Sequence, residues 1–311
     1  MIKNISIIFM SIFFESLPFL FLGSLISAII ETYISNETIA KIIPKNKILG
    51  SFVGIFLGLF LPACDCAVIP VSKRLLKKDV PVNVAVSFML ASPIINPVVL
   101  LSTYLAFYKT NPDMFWFRLL FGIVIALVIG VIMGVIFNND KVILDDEKCP
   151  VHYGKNKLIR NVKCTCNEIE RESKHSVKGD IKSITRFTLF DMFDVVKYLM
   201  FGAMLASLIQ VVLPRNVLML FNSHQVLGIL AMMIFAYLIS LCSTSDSFVG
   251  KSLLTTFSKG SIIGYLLLGP MIDIKNTLIL LGNYKKSFVT TLILLIFVLI
   301  FICSLMVVMI I

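Results

Sequence analysis

Long apolar runs are the feature that most constrains the fold of this chain. Of its 311 residues, 58% are hydrophobic and only 15% carry a charge. A helix needs about 20 mostly apolar residues to cross the hydrocarbon core of a bilayer, and apolar runs fill most of the sequence outside one polar segment. The mean hydropathy of +0.95 is far above that of a soluble domain. The sequence therefore predicts an all-α integral membrane protein.

Eight apolar runs can be distinguished, which predicts about eight transmembrane helices. We place them at residues 5–30, 48–61, 81–107, 115–137, 193–213, 226–241, 260–281 and 287–311. The first run resembles a signal peptide, but no small-residue cleavage site follows it, so we expect it to be retained as a span. The chain is thus predicted to be a multi-pass protein of the cell membrane, surrounded by the lipid bilayer.

One polar segment, residues 138–191, interrupts the apolar pattern. It is rich in charged side chains, and the distribution of Lys and Arg between the spans favours a cytoplasmic position for it and for both termini. The sequence therefore predicts a first membrane repeat at 1–137, a cytoplasmic loop at 138–191 and a second membrane repeat at 192–311. The accumulation of Lys and Arg in cytoplasmic segments also explains the net charge of +10. No basic, aromatic-rich soluble module is present, so we do not expect a nucleic-acid partner.

The two membrane parts repeat the same order of features. Glu15 in the first span matches Asp194 in the fifth, and segment 92–96 matches segment 269–273. Each half then holds four spans. Because four is an even number, both halves enter the membrane from the same side, and we expect an axis along the membrane normal to relate them. If segment 64–78 or its counterpart also crosses the membrane, the number becomes odd and the repeats are inverted.

Prolines break one predicted span in each half. Pro93 and Pro97 each remove a backbone donor in the first half, and Pro270 does so in the second. Asn96 and Asp273 each follow a matched proline by three residues, where they could bond to the freed carbonyl oxygens or to a substrate. A capped proline kink explains each break alone, whereas the matched pair favours a transport site at broken, re-entrant elements.

Two cysteines lie close to the first break. Cys64, Asp65 and Cys66 follow Pro62, and side chains two positions apart share a face where the backbone is extended. Thiolates are soft ligands that prefer thiophilic centres such as Cu(I), Zn(II) and trivalent arsenic. Cys242 is near the equivalent position of the second half, so three thiols could form one site. The alternative for Cys242 is a small apolar residue in a membrane helix. The predicted substrate site comprises Cys64, Asp65, Cys66, Pro93, Asn96, Cys242, Pro270 and Asp273.

Ionisable residues near membrane depth are a further signal, because such groups are costly there and usually face a cavity or each other. They are Asp65, Asp246, Asp273 and Lys275. A proton-coupled cycle could use one of the aspartates. An ion pair of Asp273 with Lys275 is the competing structural explanation, although residues two positions apart on a helix do not face one another.

The polar loop carries a second group of thiols and imidazoles. These are Cys149, His152, Cys164, Cys166 and His175. Their chemistry fits capture of zinc or copper(I), with spacings less regular than those of a zinc finger. The alternative is a charged loop that is disordered when empty. No resident cofactor is predicted.

Six motifs, taken together, carry a resemblance to a known family. They are the P-A-C-D-C element at 62–66, V-I-P at 68–70, K-R-L-L-K-K at 73–78, A-S-P-I-I-N-P at 91–97, C-S-T-S-D-S-F at 242–248 and G-P-M-I-D-I-K-N at 269–276. The chain resembles a family of bacterial and archaeal predicted permeases that includes organoarsenical efflux permeases of the ArsP type and relatives proposed to export copper or zinc. The resemblance covers the whole membrane part. It implies an eight-span efflux permease whose membrane cysteines bind a trivalent arsenical.

The predicted function is therefore a membrane permease, not an enzyme, that exports a thiophilic substrate. That substrate is a trivalent organoarsenical or a soft metal ion such as Cu or Zn. No complete phosphate-binding motif of the G-x-x-x-x-G-K-[ST] type occurs, so an ion gradient or the substrate gradient would supply the energy. Two alternatives stay open: a membrane thiol oxidoreductase that uses the C-x-C pairs, and a permease subunit for another small solute. The sequence also leaves the oligomeric state open, a homo-oligomer included.

Overall fold

Helices make up almost all of the described part of the chain. The computed structural model describes residues 2–33, 44, 46–60, 65–139, 142–144, 177–212 and 225–310. Within these ranges lie twelve α-helices, which we number in chain order. They are α1 (Ile2–Tyr33), α2 (Lys47–Phe60), α3 (Asp65–Lys77), α4 (Val82–Ile95), α5 (Pro97–Phe107), α6 (Asp113–Ile136), α7 (Val177–Val212), α8 (Gln225–Ile239), α9 (Ser243–Leu253), α10 (Lys259–Met271), α11 (Ile274–Asn283) and α12 (Lys286–Ile310).

Six helical segments of the described chain are long and apolar enough to cross a membrane. They are Lys3–Ile30, Val82–Phe107, Asp113–Ile136, Ile184–Val212, Lys259–Asn283 and Lys286–Ile310. The helices α2 and α8 are apolar but shorter, and they lie at the second and sixth predicted spans. Over the described residues the predicted all-α membrane fold is confirmed, and six of the eight predicted segments reach spanning length.

The helix α7 begins earlier than the sequence predicts. Its residues 177–191 belong to segment 138–191, which the composition alone predicts to be a polar loop. Charged residues mark where the lipid ends, but a helix can continue into water because its backbone hydrogen bonds are internal. Asp191 on this extension accepts two hydrogen bonds from the guanidinium of Arg74 on α3, at 3.1 and 2.8 Å. The extension is thereby tied to the first half of the chain.

Two helices are buried on every side and form the centre of the molecule. All residues of α4 are buried, and so is every residue of α10 after Lys259. Neighbouring helices cover their faces: α4 contacts α2 and α6, while α10 contacts α8 and α12. The two buried helices also contact each other. Each ends at a break, α4 before Asn96 and α10 before Ile272, and a short helix follows.

The long helices α1 and α7 pack along each other and also reach the short helices, α1 against α3 and α7 against α11. Glycines allow the close approach. A side-chain carbon at Gly23 would lie 2.5 Å from the Cβ of Ala67, and one at Gly202 would lie 2.8 Å from the Cα of Lys275. Because glycine has no side chain, α1 and α7 can contact the first turns of α3 and α11 directly.

Candidate functional site

Two acidic side chains lie at the N-terminal ends of α3 and α11. Asp65 is the first residue of α3. Asp273 is the N-cap of α11, where its Oδ1 accepts a hydrogen bond from the backbone N–H of Asn276 at 2.6 Å. A carboxylate is favourable at a helix N-terminus because unpaired N–H groups and the helix dipole present positive charge there. The local sequence thus places two buried carboxylates at the starts of two short helices.

Lys275 connects these two carboxylates. Its Nζ lies 3.4 Å from Asp65 Oδ2 and 3.4 Å from Asp273 Oδ2. Asn276 adds a hydrogen bond from its Nδ2 to Asp65 Oδ2 at 3.1 Å. All four side chains are buried, so the first and second halves of the chain are joined in the interior. We refer to Asp65, Asp273, Lys275 and Asn276 as the ionic cluster.

The ionic cluster contains more acidic than basic groups. Two carboxyl groups face one ammonium group. In addition, Asn276 Oδ1 is buried and accepts no hydrogen bond from any residue in the described ranges, and Asp273 Oδ2 shares the ammonium group of Lys275, 3.4 Å away, with Asp65. A buried acceptor without a partner and a buried carboxylate that shares its counter-charge are both costly. The cluster is therefore suited to receive one more positive charge, either a proton or a cation.

A small cavity lies next to the ionic cluster, and two thiols line it. Cys66 and Cys242 line it together with Asp65, Lys275 and a group of α1 residues that includes Glu15. Its volume is about 20 Å³, which is room for roughly one water molecule. A larger molecule does not fit into the cavity as it stands in this structure.

The two thiols come from different halves of the chain. Cys66 is the second residue of α3 and is buried, and Cys242 is the N-cap of α9 and is partly exposed. The Sγ of Cys242 accepts a hydrogen bond from Thr244 Oγ1 at 3.4 Å. The extended backbone predicted for the C-D-C segment is wrong at Cys66, because the helix begins at Asp65, where an acidic side chain favours the first turn.

A second buried network lies around Arg118 of α6, and the sequence interpretation missed it. The guanidinium is fully buried. It donates from Nη1 to Thr103 Oγ1 and Ser247 Oγ, both at 2.7 Å, and from Nη2 to the carbonyl of Ser243 at 3.3 Å. Thr103 lies on α5 and both serines lie on α9, so Arg118 also joins the two halves. An arginine near the end of a span is usually expected to extend to the membrane surface, and its position inside an apolar run was the available signal.

Comparison with known proteins identifies the family. The sequence matches the family model ArsP_1, described as predicted permease, over residues 1–309. The chain belongs to this family. The permease is 37% identical over 307 residues to the UPF0718 protein YcgR of Bacillus subtilis (strain 168), an alignment that covers 96% of this chain and 95% of the relative.

A second relative has a name that describes an assembly. The permease is 35% identical over 284 residues to the "Putative two-component membrane permease complex subunit" of Streptococcus mutans serotype c (strain ATCC 700610 / UA159), covering 91% of this chain and 87% of the relative. No solved structure matches the chain. The family, the relatives and the six apolar segments support a multi-pass membrane permease, a transporter rather than an enzyme.

Three other predicted residues of the permease lie at the breaks and are not among the residues that line the thiol cavity. Pro93 and Pro270 are in the last turns of α4 and α10. Asn96 is the N-cap of α5, and its Oδ1 accepts a hydrogen bond from the N–H of Val98 at 3.0 Å. In these contacts Asn96 and Asp273 bind helix amides rather than the carbonyl oxygens freed by the prolines, because a new helix start leaves N–H groups unpaired.

Several predicted ligands lie outside the described residues. They are Cys64, Cys149, His152, Cys164, Cys166 and His175. Among the residues that the structure does describe, no three His, Cys, Asp or Glu side chains form a group that could hold a metal ion. The metal site in the loop and the pairing of Cys64 with Cys66 therefore stay predictions.

Proposed function

We propose that the protein is an efflux permease for a thiophilic substrate, either a trivalent organoarsenical or a soft metal ion such as Cu(I) or Zn(II). The observation that carries the proposal is that Cys66 and Cys242, from different halves of the chain, line one cavity beside the ionic cluster. Thiolates are soft ligands suited to such centres. The surplus of acidic groups in the cluster also favours a cationic or electrophilic substrate over an anionic one.

In this proposal the halves are pseudo-symmetric repeats of four spans each. The helices α1–α6 and α7–α12 follow the same order: a long helix, a short apolar helix, a short polar helix, a buried helix, a short helix after a break and a long apolar helix. With α2 and α8 crossing the membrane, the permease has eight spans, and α3 and α9 enter the membrane without crossing it. Sites at broken helices between repeats are typical of secondary transporters. Movement of one half against the other opens the cavity to each side in turn.

The position of the thiols in different halves gives a means of release. A trivalent arsenical with two hydroxyl groups on arsenic reacts with two thiols; each thiol replaces one hydroxyl group, and two water molecules leave. When Cys66 and Cys242 move apart with their halves, the two-sulfur site is lost and the affinity falls. Hydrolysis of the As–S bonds takes up two water molecules and returns both thiols.

Serine substitutions of the two cavity thiols test the proposal. Everted membrane vesicles that contain the wild-type protein should accumulate methylarsenite or Zn(II). Cys66→Ser and Cys242→Ser should each lower the initial uptake rate roughly tenfold or more, the equivalent of losing about 1.4 kcal/mol of binding, because a serine oxygen is a hard ligand. Cys303→Ser is the matched control, since Cys303 lies on α12 and does not line the cavity. Full uptake by both cavity variants would overturn the thiol site.

A resistance screen separates the two substrate classes. A sensitive bacterial host that expresses the protein is challenged with arsenite, methylarsenite, Cu, Zn and Cd. Protection against methylarsenite alone assigns the arsenical, and protection against the metal salts assigns a soft metal ion. In either case protection should be lost in the Cys66→Ser variant and kept in Cys303→Ser.

A second candidate function is a subunit of a larger permease complex for another small solute. The name of the Streptococcus relative favours it. Affinity purification of the tagged protein from its native membranes would recover a second membrane protein in fixed proportion. Resistance in a foreign host without that second protein would count against this candidate.

A further inference from the structure

Asp246 lies beside the second buried network, since the next residue, Ser247, accepts a hydrogen bond from Arg118. It is on α9 and is 2% exposed. Its Oδ1 accepts a hydrogen bond from the hydroxyl of Tyr265 on α10 at 3.0 Å. Its Oδ2 is buried and has no hydrogen-bond partner in the described part of the chain. This oxygen is packed against Gly269, where an added side-chain carbon would lie 2.6 Å from it.

Arg118 is the nearby group of opposite charge, yet it does not pair directly with Asp246. Its hydrogen-bond partners in the described chain are the neutral oxygens of Thr103, Ser247 and Ser243. Its Nε has no partner among the same residues. An ionised carboxylate with an unpaired oxygen in a low-dielectric interior would attract a neighbouring guanidinium strongly. A protonated, neutral Asp246 exerts no such attraction, so it fits the separation of the two groups.

The charged groups around Asp246 leave Arg118 as the partner for its ionised form. From α10 it faces Tyr265, and α5, which packs against α9, carries no charged side chain. Asp65 and Asp273 are the other charged groups that act on it, and as acids they cannot pair with its ionised form. After loss of the proton, the approach of Arg118 is therefore what would stabilise the ionised carboxylate.

We infer that Asp246 is a proton-binding site that couples a proton gradient to transport, and that loss of its proton draws Arg118 away from Thr103 and Ser247. The role in transport rests on the proposed function. Thr103 lies on α5 in the first half, whereas Ser247 and Asp246 lie on α9 in the second. Moving Arg118 from one set of partners to the other therefore loosens a connection between the halves, which is the motion that opens the cavity.

Infrared spectroscopy tests the proton site without any transport substrate. Purified protein in lipid nanodiscs is titrated with pH while the carbonyl stretch of protonated carboxyl groups is recorded. The wild type should show a band that disappears as the pH rises. Asp246→Asn should remove this band, Asp246→Glu should restore one, and Asp113→Asn, at an exposed carboxylate on α6, should leave it unchanged. An Asp246→Asn spectrum identical to the wild type would overturn the inference.

Hydrogen–deuterium exchange tests the predicted movement of Arg118. Exchange rates are compared after division by the intrinsic amide rate at each pH. In the wild type, the backbone amides of α5 and α9 should be less protected above the pH at which the band disappears than below it. In Asp246→Asn, which cannot ionise, the protection of both helices should be independent of pH and resemble that of the low-pH wild type. A wild type whose α5 and α9 are equally protected at both pH values would overturn the Arg118 movement.

Vesicle uptake with an imposed pH gradient separates this inference from the proposed function. The gradient should stimulate uptake of methylarsenite or Zn(II) by the wild type, and Asp246→Asn should show equal uptake with and without it. Stimulation of Asp246→Asn equal to that of the wild type would overturn the coupling role. If the wild type moves no probe while the Asp246 band is present, the proposed function fails and the proton site stands.

Discussion

Replacing Lys275 with methionine is expected to destabilise the protein strongly, because the carboxyl groups of Asp65 and Asp273 lose the ammonium group that they share. Removing one member of a buried ion pair typically costs about 3–5 kcal/mol. Lys275 is 3% exposed and lies 3.4 Å from both carboxylates, so bulk water cannot replace it. In thermal unfolding of the purified protein, Lys275→Met should melt well below Lys109→Met, whose lysine is exposed in the turn after α5.

Neutralising the acidic partners of Lys275 shows whether unpaired charge causes the loss of stability in Lys275→Met. Adding Asp65→Asn and Asp273→Asn to Lys275→Met removes all three ionisable groups, and asparagine at position 273 can still cap α11. This triple variant should regain most of the lost stability, since neutral groups of similar size often replace buried ion pairs without loss. It should not regain transport. A triple variant as unstable as Lys275→Met would mean that the packing of the lysine chain, rather than its charge, holds α3 to α11.

The membrane elements could be predicted from the sequence because hydrophobic length is a property of consecutive residues. The apolar runs predicted the segments that form α1, α6 and α12, and Pro93 and Pro270 predicted the breaks after α4 and α10. The start of α7 at Val177 could not be found in this way. Charged residues show where a segment leaves the lipid, and they are compatible with a helix that continues into water.

The ionic cluster depends on a backbone detail that sequence spacing does not reveal. Asp273 and Lys275 would point in different directions on one regular helix. Asp273 instead precedes the helix as its N-cap, with an extended backbone at φ −135° and ψ 177°. Its side chain turns back over the first turn, and both of its neighbours there, Lys275 and the N–H of Asn276, come within reach. The proline and the aspartate indicate a break, but not the conformation at the break.

Contacts between the halves were harder still to predict. The hydrogen bond from Arg118 to Ser247 joins residues 129 positions apart, and that from Asn276 to Asp65 joins residues 211 positions apart. Nothing in the local pattern of either residue identifies its partner. The internal repeat did suggest that cysteines of the two halves meet, because it relates the two polar elements. The role of these cysteines in binding a substrate stays a prediction.

Gly23→Ala is expected to weaken transport although Gly23 does not line the cavity. A side-chain carbon at Gly23 would lie 2.5 Å from the Cβ of Ala67, 2.9 Å from its carbonyl oxygen and 3.0 Å from its Cα. Rotation of a side chain cannot relieve overlap with backbone atoms, so α1 must move away from α3. Overpacking of this kind costs about 1–3 kcal/mol. Because Ala67 directly follows Cys66, the cavity thiol should shift with α3, and both the unfolding temperature and the vesicle uptake rate should fall.

Gly250→Ala is the matched control for adding a methyl group to a helix. There the new carbon would lie 3.1 Å from Cδ2 of Leu266, the far end of a flexible side chain. Alanine is favoured over glycine in a helix by about 1 kcal/mol. Gly250→Ala should therefore leave uptake near the wild-type rate and keep or slightly raise the unfolding temperature, although it makes the same chemical change as Gly23→Ala.

Ala67→Gly in the Gly23→Ala background should restore part of the loss, because it removes the nearest of the three overlapping atoms. The restoration should be partial, since the backbone oxygen and Cα of residue 67 remain close to the new methyl group. Residues in contact give non-additive effects, whereas distant residues give additive ones. The unfolding temperature and uptake rate of the double variant are compared with those of Gly23→Ala and Ala67→Gly alone. If the losses in the double variant equal the sum of the losses in the two single variants, residues 23 and 67 do not touch in the functional protein. The packing of α1 on α3 would then not be what positions Cys66.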